Sequence, residues 1–226
     1  MAGPAPLPIL PPPTLLPLGD AALLIRFATS LTDQANWTAI ACAQAFARDP
    51  VPGVVEVVPS LVSVLLRYDP RTVALNTLMG EVRLRLFGLS VDEAALPSVR
   101  TIPTHFGGEA GPDLEEVAAA LGLTADAFVA AHNATKLRVL ATGFAPGFVY
   151  CGFHPQTLVL PRRSVVRRSV PKGSVLFAAG QTAIAATEIP TGWYVIGHTD
   201  FANFDVAALP PTTLAPGDQL VFEALA

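Results

Sequence analysis

A basic segment at residues 161–173 contains the strongest candidates for ligand-binding chemistry. It reads PRRSVVRRSVPKG, in a chain of net charge −4. Guanidinium groups bind carboxylate and phosphate through paired hydrogen bonds, so the segment predicts an anionic ligand or an acidic partner. The alternative is a solvated strand edge, where basic side chains discourage pairing with another strand. The segment holds five of the 14 basic residues: Arg162, Arg163, Arg167, Arg168 and Lys172.

A glycine-rich turn, GFAPGFVY, occupies residues 143–150. Gly143 and Gly147 permit backbone conformations closed to other residues, and Pro146 stiffens the chain between them. Exposed amides in such a loop can form an anion or oxyanion site. The alternative is a tight barrel corner in which both phenylalanines of the turn are buried. The sequence leaves both interpretations open.

Three side chains between residues 181 and 199 add further candidates. Gln181 can recognise an amide or lactam, because its side chain both donates and accepts hydrogen bonds. Glu188 can serve as a general acid or base. The alternative is a solvated surface carboxylate. Trp193 either packs in the core or stacks on a ligand.

Metal chemistry is not expected. No histidine pair has helical metal-ligand spacing, and neither HExxH nor CxxC occurs. Glu109 and Asp113 can form a carboxylate pair, although helix capping explains Asp113 equally well. His132 is expected to pack or cap on a short helix. The four histidines are His105, His132, His154 and His198.

The composition bounds the class of protein. Hydrophobic residues make up 51% and charged residues 14% of 226 residues, which predicts a sizeable core. Every apolar run is interrupted before the ~20 residues that a spanning helix needs, so we expect no membrane segment. The acidic balance argues against general nucleic-acid binding. Cys42 and Cys151 match no metal-ligand spacing; a reduced cytoplasmic chain is the simpler expectation, and a disulfide is the alternative.

The first half of the chain predicts a ferredoxin-like α+β domain over residues 17–90, after an extended proline-rich leader at 1–16. The elements read strand, helix, strand, strand, helix. A complete ferredoxin-like domain needs one more strand. Either that strand lies near Val99 to Pro103, or this segment already belongs to the next domain. The elements are a strand at Ala21–Phe27, a helix capped by Thr32 or Asp33 and ending near Arg48, strands at Val54–Val58 and Leu61–Tyr68, and a helix at Thr72–Phe87.

The second half, residues 91–226, predicts two short helices followed by a β-barrel. Many short strand candidates are separated by glycine and proline, which is typical of a closed or nearly closed barrel. The candidates are Leu137–Ala141, Ser174–Ala179, Ala183–Thr187, Trp193–Ile196 and Gln219–Phe222.

Five motifs in order resemble one known family, which contains the B-type component of bacterial 5-oxoprolinase, the kinase inhibitor KipI and allophanate hydrolase subunit 1. The resemblance covers about nine-tenths of the chain. The motifs are VVEVVPSLVSVLLRYDP (54–70), HFGGEAGPDLEEVA (105–118), GFAPGFVYCGF (143–153), LPRR with Arg167 and VPKGSV (160–175), and Gln181-Thr182 followed by GWYVIGHT (192–199).

The resemblance implies a fold, an activity and a set of site residues. The fold is an α+β domain followed by a cyclophilin-like β-barrel. The activity is that of one component of an ATP-hydrolysing 5-oxoprolinase, which converts 5-oxo-L-proline to L-glutamate, or of a related amide-processing, carboxyltransferase-like complex. By position, the implied catalytic residues are Arg162, Arg167 and Gln181, and the implied substrate-binding residues are Gly143, Phe144, Pro146, Gly147, Phe148, Thr182 and Trp193.

The resemblance also implies partners. A C-type subunit, itself like a biotin-dependent carboxyltransferase, and an A-type subunit are expected to complete the enzyme, and the complex uses ATP. The substrate is a small amide or lactam. The sequence departs from the family pattern at residues 176–179 and 183–186, at Thr191, and at His198, which replaces an arginine.

Two alternative functions follow from the same features. A KipI-like regulator would bind a sensor histidine kinase and block its autophosphorylation. A stand-alone cyclophilin-like peptide binder or prolyl isomerase rests on fold likeness alone.

Overall fold

The computed structural model describes residues 11–89 and 99–225, and the chain forms two compact units, Met1–Leu96 and Pro97–Ala226. The predicted boundary between residues 90 and 91 lies outside the described residues. The fold class is confirmed as α+β with a closed barrel in the second unit. Within the described ranges, no helix has both the length and the apolar character needed to cross a membrane.

The first unit contains a four-stranded antiparallel sheet and two helices. The elements are β1 (Thr14–Leu18), β2 (Ala22–Arg26), α1 (Asp33–Arg48), β3 (Val54–Pro59), β4 (Ser63–Tyr68) and α2 (Leu75–Phe87). The sheet order is β1-β2-β4-β3. Thr32 caps α1 as expected, because its side chain accepts a hydrogen bond from the backbone N–H of Ala35.

Strand β1 was not predicted. It begins at Thr14, inside the segment that the sequence assigns to the leader, and pairs with β2 from Thr14↔Arg26 to Leu18↔Ala22. Pro17 is tolerated there because β1 lies at the sheet edge, where one side of the strand forms no ladder. In a ferredoxin-like arrangement, β1 therefore occupies the place that a strand after α2 would fill. Residues 1–10 of the proposed leader lie outside the described residues.

The second unit is built on a closed seven-stranded barrel with two short helices. Its strand order is β10-β7-β6-β13-β5-β12-β9, and β9 pairs with β10 to close it. Strands β8 and β11 form a separate antiparallel pair. The elements are β5 (Val99–Phe106), α3 (Leu114–Ala120), α4 (Ala125–Asn133), β6 (Leu137–Thr142), β7 (Val149–Gly152), β8 (Arg167–Val170), β9 (Ser174–Ala178), β10 (Gln181–Ile184), β11 (Ile189–Thr191), β12 (Tyr194–His198) and β13 (Gln219–Ala224), with a short 3-10 turn at Gln156–Leu158.

The barrel resolves the open question about Val99–Pro103. These residues belong to β5, which pairs with β12 and, in parallel, with β13. They are therefore part of the second unit and not the last strand of the first.

Strand alternation divides the barrel residues between two cores. Side chains of one parity point inward and pack with Leu114, Val117 and Phe128 of the two helices. Side chains of the other parity form an outer cluster on β7, β9, β10 and β12. The members of this cluster include Phe148, Leu176, Ala178, Ala183, Trp193 and Val195. This outer face carries most of the predicted site residues.

Candidate functional site

The glycine-rich turn joins β6 to β7 as a tight corner. Its ends are tied by the Gly143 N–H, which donates to the carbonyl of Phe148 at 3.0 Å. The φ angles of Gly143, Phe144 and Gly147 are 123°, 78° and 70°. The corner interpretation expected both phenylalanines to be buried. Phe148 is buried, whereas the Phe144 residue is 70% exposed.

Gly147 is required at this corner for steric reasons. A Cβ atom at this position would lie 2.5 Å from the Cβ atom of Phe204 and 3.0 Å from that of Ala186. The Gly147 carbonyl also accepts a hydrogen bond from the Asn203 side-chain amide at 2.9 Å. The turn is thus fixed against the 203–204 segment, and this holds Phe148 in place directly before β7.

Four aromatic rings continue from this turn across the outer face of the barrel. The ring centroids of Phe144 and Phe148 lie 5.6 Å apart, those of Phe148 and Tyr150 4.8 Å, and those of Tyr150 and Trp193 6.1 Å. All three pairs are edge-on, the arrangement that aromatic quadrupoles favour. We call this row the aromatic face.

Arg162 lies at the Trp193 end of the aromatic face. Its guanidinium carbon is 5.6 Å from the Trp193 ring centroid, within cation–π range. Burial raises the pKa of the Tyr150 phenol, and the nearby Arg162 charge opposes that rise. Tyr150 is therefore a neutral phenol at neutral pH and can donate a hydrogen bond.

Gln181 lies on the same side of the sheet. It is two residues before Ala183, which belongs to the outer cluster, and it pairs with Ala178 of the same cluster. Period-two alternation therefore directs Gln181 outward. Its Oε1 atom is buried and has no hydrogen-bond partner within the described part of the chain. A buried acceptor without a donor is unusual, because it costs about 1–3 kcal/mol.

Thr182 does not join this face. Strand alternation turns it into the barrel, where it is fully buried. Its hydroxyl lies 2.8 Å from the Nε2 atoms of both His132 and His154. Thr182 therefore belongs to a hydrogen-bond chain inside the barrel. It does not lie on the outer face with Gln181 and Trp193, which were predicted to share its site.

The internal chain has a defined direction. Nδ1 of His132 lies 2.7 Å from the Oδ1 acceptor of Asn133, so this nitrogen carries the proton. Nε2 of His132 then accepts from Thr182, and Thr182 in turn accepts from His154. Nδ1 of His154 is left buried without a partner among the described residues. Burial lowers the pKa of His132 to about 4 and that of His154 to about 3, and the neighbouring His132 adds to the second shift.

Arg167 is bound by Asp113. One carboxylate oxygen of Asp113 accepts hydrogen bonds from Arg167 and, at 3.1 Å, from Arg163. The other accepts from the backbone N–H of Val195 at 2.8 Å. Asp113 stands at the N-cap position of α3, but its side chain makes no capping hydrogen bond. The expected capping role is therefore wrong; two guanidinium groups and a strand amide take the carboxylate instead.

A groove of about 500 Å³ opens beside Arg167. We call it the histidine groove, since it contains both His105 and His198, which are cross-strand partners in β5 and β12. Glu109 also lines it. The described residues contain no group of three or more His, Cys, Asp or Glu side chains placed to hold a metal. The other residues that line the histidine groove are Ala110, Pro112, Ser169, Val170, Pro171, Ser174 and Val195.

Sequence reasoning thus identified a group of residues that the structure largely brings together. Arg162, Gln181, Trp193 and the glycine turn share the outer face, whereas Thr182 points into the barrel and Arg167 is bound by Asp113. It missed Tyr150 and the links between Asp113 and the arginines. Glu188 is exposed and accepts a hydrogen bond from Ser169. Both cysteines are buried free thiols.

The comparisons with known proteins give one consistent answer. The family described as carboxyltransferase domain, subdomain C and D, matches residues 13–214. Two curated relatives are each named as the B-type component of 5-oxoprolinase. The Bacillus subtilis protein is 35% identical over 91% of this chain and 90% of its own length. The Escherichia coli O157:H7 protein is 39% identical over 76% of this chain and 78% of its own length.

A solved structure supports the same assignment. The crystal structure of TTHA0988 superposes with a TM-score of 0.78 at 35% identity, covering 91% of this chain. This chain spans only 40% of that longer protein. The family match covers well over half of the chain, and the two curated relatives are 35% and 39% identical to it over the aligned residues. The chain therefore belongs to the carboxyltransferase family of subdomains C and D, together with the proteins named as B-type components of 5-oxoprolinase.

Proposed function

We propose that this chain is the B-type component of an ATP-dependent 5-oxoprolinase, which opens 5-oxo-L-proline to L-glutamate together with C-type and A-type subunits. Two relatives of that name match most of the chain at 35% and 39% identity. The structural observation that carries the proposal is the unpaired Oε1 of Gln181 on the outer face that also bears Trp193 and Arg162.

The groups on this face suit a small lactam that carries a carboxylate. Oε1 of Gln181 accepts the lactam N–H, which satisfies the buried oxygen. The Arg162 guanidinium pairs with the carboxylate, and the edge-on aromatic rings give the small ring an apolar surface. The neutral Tyr150 phenol supplies a hydrogen-bond donor for an amide oxygen. Together these contacts hold the amide in place. Positioning the substrate is the contribution that we assign to this chain, because it is expected to act only together with its partner subunits.

ATP supplies the driving force in the complete complex, and no ATP contact is assigned to this chain. Transfer of the γ-phosphoryl group of ATP to the amide oxygen, with ADP as the leaving group, would make the carbonyl carbon a better electrophile. Water would then add to that carbon, the ring C–N bond would break as its nitrogen takes up a proton, and inorganic phosphate would leave. The Arg162 positive charge is suited to the negative charge that then collects at the substrate. The partner subunits complete the site.

Reconstitution tests the proposal. The chain alone is expected to form no glutamate from 5-oxoproline and ATP, and the chain mixed with its C-type and A-type homologues is expected to form it. Arg162→Ala should lower kcat/KM of the mixture at least tenfold, whereas Arg168→Ala, at an exposed position on β8, should leave it unchanged. A complete mixture that is inert toward 5-oxoproline would overturn the assignment. Specific capture of a sensor histidine kinase by that inert chain would support the regulatory alternative.

A further inference from the structure

The connection between β12 and β13, residues 199–218, is tied to the barrel at both ends. At its start, the Thr199 hydroxyl donates to a carbonyl of β5 at 2.6 Å. Near its end, the Gly217 N–H donates to a carbonyl of β6 at 2.9 Å. Between these points the connection folds back on itself, and Phe204 forms an isolated antiparallel bridge with Thr212. The barrel therefore fixes the path of this segment.

This connection contains a buried asparagine, Asn203, which is 1% exposed and uses both halves of its side-chain amide. The Nδ2 group donates to the Gly147 carbonyl at 2.9 Å. The Oδ1 atom accepts from the backbone N–H groups of Thr213 and Leu214, at 3.2 Å and 2.8 Å, and from the Thr213 hydroxyl at 3.1 Å. These partners set the orientation of the amide, since a carbonyl oxygen can only accept and a backbone N–H can only donate.

The two halves of the Asn203 amide join the barrel core to the glycine-rich turn. The acceptor half is bound by Leu214, whose side chain packs in the inner core. The donor half holds the turn at Gly147, three residues after Phe144, whose φ angle is 78°. A residue with a side chain is strained at such an angle, and the conformation persists only where surrounding contacts enforce it. Asn203 thus carries a restraint from the core to a turn whose backbone needs one.

The Gly147 carbonyl belongs to the peptide unit that leads into Phe148. Because a peptide unit is planar, its carbonyl and its N–H move together. Asn203 holds the carbonyl, and the Phe148 N–H donates to the carbonyl of Ala145 at 3.1 Å. Within the aromatic face, the centroid of the Phe148 ring lies 4.8 Å from that of Tyr150. Release of the Gly147 carbonyl would let this peptide unit rotate and would displace the Phe148 ring from Tyr150.

We propose that Asn203 is a positioning residue for the aromatic face: its amide fixes the peptide unit before Phe148, and with it the apolar surface on which the substrate ring lies. Asn203 is buried and bonded within the protein, so it acts through Phe148 and not by contact with a ligand. The effect on substrate rests on the proposed function, whereas the restraint on the turn does not. An apolar surface stabilises the bound substrate and the transition state equally, so its loss raises KM and leaves kcat unchanged.

Amide hydrogen exchange in the isolated chain tests the restraint without any activity. The N–H groups of Gly143 and Phe148 close the turn by their hydrogen bonds, and the Val195 N–H, bonded on β12, serves as the reference for opening of the whole unit. Asn203→Ala should speed exchange at Gly143 and Phe148 at least about tenfold relative to Val195, because the turn then opens locally. A general loss of stability would speed all three amides alike.

Asn203→Asp separates the two halves of the amide. The new carboxylate still accepts from Leu214 and Thr213, but it has no hydrogen to donate to the Gly147 carbonyl until it is protonated. Since burial raises the pKa of a carboxyl, turn exchange should be fast at about pH 8 and should return toward that of the unchanged protein at about pH 5. Thr213→Val is the matched control: it removes one hydroxyl bond to Oδ1 and keeps the bond to Gly147, so the exchange ratio should not change.

Kinetics of the reconstituted complex test the role at the site. Asn203→Asp, assayed at about pH 8, should raise the KM for 5-oxoproline about fivefold and leave kcat within about twofold, whereas Thr213→Val should change neither. The inference is overturned if turn exchange in Asn203→Ala rises no more than that of Val195, or if an active complex keeps its KM in the Asn203 variants. A wild-type mixture without activity would instead refute the proposed function, and the exchange ratios alone would then decide whether Asn203 restrains the turn.

Discussion

The Arg162 guanidinium carbon lies 5.6 Å from the centroid of the Trp193 ring, and Trp193 in turn contacts the edge of Tyr150. A surface cation is thereby placed on the buried Trp193 ring, although Arg162 precedes Trp193 by 31 residues in the chain. The partial desolvation of a stacked guanidinium strengthens its attraction for an anion. This relationship gives the first prediction.

Arg162→Lys should keep the charge but lose function. A lysine ammonium cannot form the paired hydrogen bonds that a guanidinium makes with a carboxylate, and it stacks less well on an indole ring. We expect kcat/KM of the reconstituted complex to fall about tenfold, compared with about a hundredfold for Arg162→Ala. Steady-state glutamate formation measures both. A lysine variant with full activity would show that only net charge matters at this position.

Gln181→Leu should change stability and activity in opposite directions. The substitution removes a buried oxygen that has no partner in the described structure, so the free energy of unfolding should stay the same or rise by up to about 1 kcal/mol. The KM for 5-oxoproline should rise at least tenfold, because the lactam N–H loses its acceptor. Urea unfolding and steady-state kinetics on the same preparation test the pair. A fall in stability with an unchanged KM would mean that the oxygen has a structural role only.

Asp113→Ala should destabilise the second unit through three lost acceptor contacts. The change leaves Arg163, Arg167 and the Val195 N–H without this carboxylate. The arginine side chains are 22% and 35% exposed, so water compensates in part, and we expect a loss of about 2–3 kcal/mol. The matched control is Glu56→Ala, which breaks the exposed ion pair with Arg67 and should cost about 0–1 kcal/mol. Equal effects of the two changes would contradict the assigned role.

Local sequence signals predicted much of the fold. The cap at Thr32, the β3–β4 hairpin and four barrel strands follow from residue types within a short window, whereas the candidate Ala183–Thr187 overlaps β10 (Gln181–Ile184) only at Ala183 and Ile184. The aromatic face was partly predicted, because glycines and an arginine cluster mark it. The role of Asp113 was not, since its partners lie 50 and 54 residues away and its position before a helix indicates a cap. Likewise, nothing local indicates that His132 and His154 share one hydroxyl at the barrel centre.

Gly147→Ala should disrupt the corner before β7. The added Cβ would lie 2.5 Å from that of Phe204, and the φ angle of +70° disfavours any other residue. We expect a loss of at least about 2 kcal/mol in the free energy of unfolding and reduced activity, since Phe148 loses its fixed position. Gly80→Ala is the control: apart from its chain neighbours and the backbone of α2 itself, no atom lies within 4 Å of the Cβ position, so this change should gain up to about 1 kcal/mol. A tolerated Gly147→Ala would refute the steric argument.

The buried His132–Thr182–His154 chain should make the second unit sensitive to acid. Both imidazoles have pKa values lowered by burial, to about 4 and about 3, while an unfolded histidine titrates near ~6.5. At a pH above the pKa of the unfolded histidine, neither the folded nor the unfolded protein protonates these rings, so the hydrogen-bond chain contributes its full share of the stability. As the pH falls below it, the unfolded chain binds protons that the folded chain cannot, so stability falls until the folded pKa values are reached.

The expected loss is on the order of 2–3 kcal/mol per histidine by about pH 4.5. Urea unfolding followed by Trp193 fluorescence in a Trp37→Phe background reports the second unit alone, because the chain has two tryptophans. His154→Leu removes one titrating ring and the unpaired Nδ1, so its stability should depend on pH about half as steeply between about pH 6 and about pH 4.5, with no penalty from an unsatisfied nitrogen. An unchanged slope in this variant would show that the acid sensitivity arises elsewhere in the barrel.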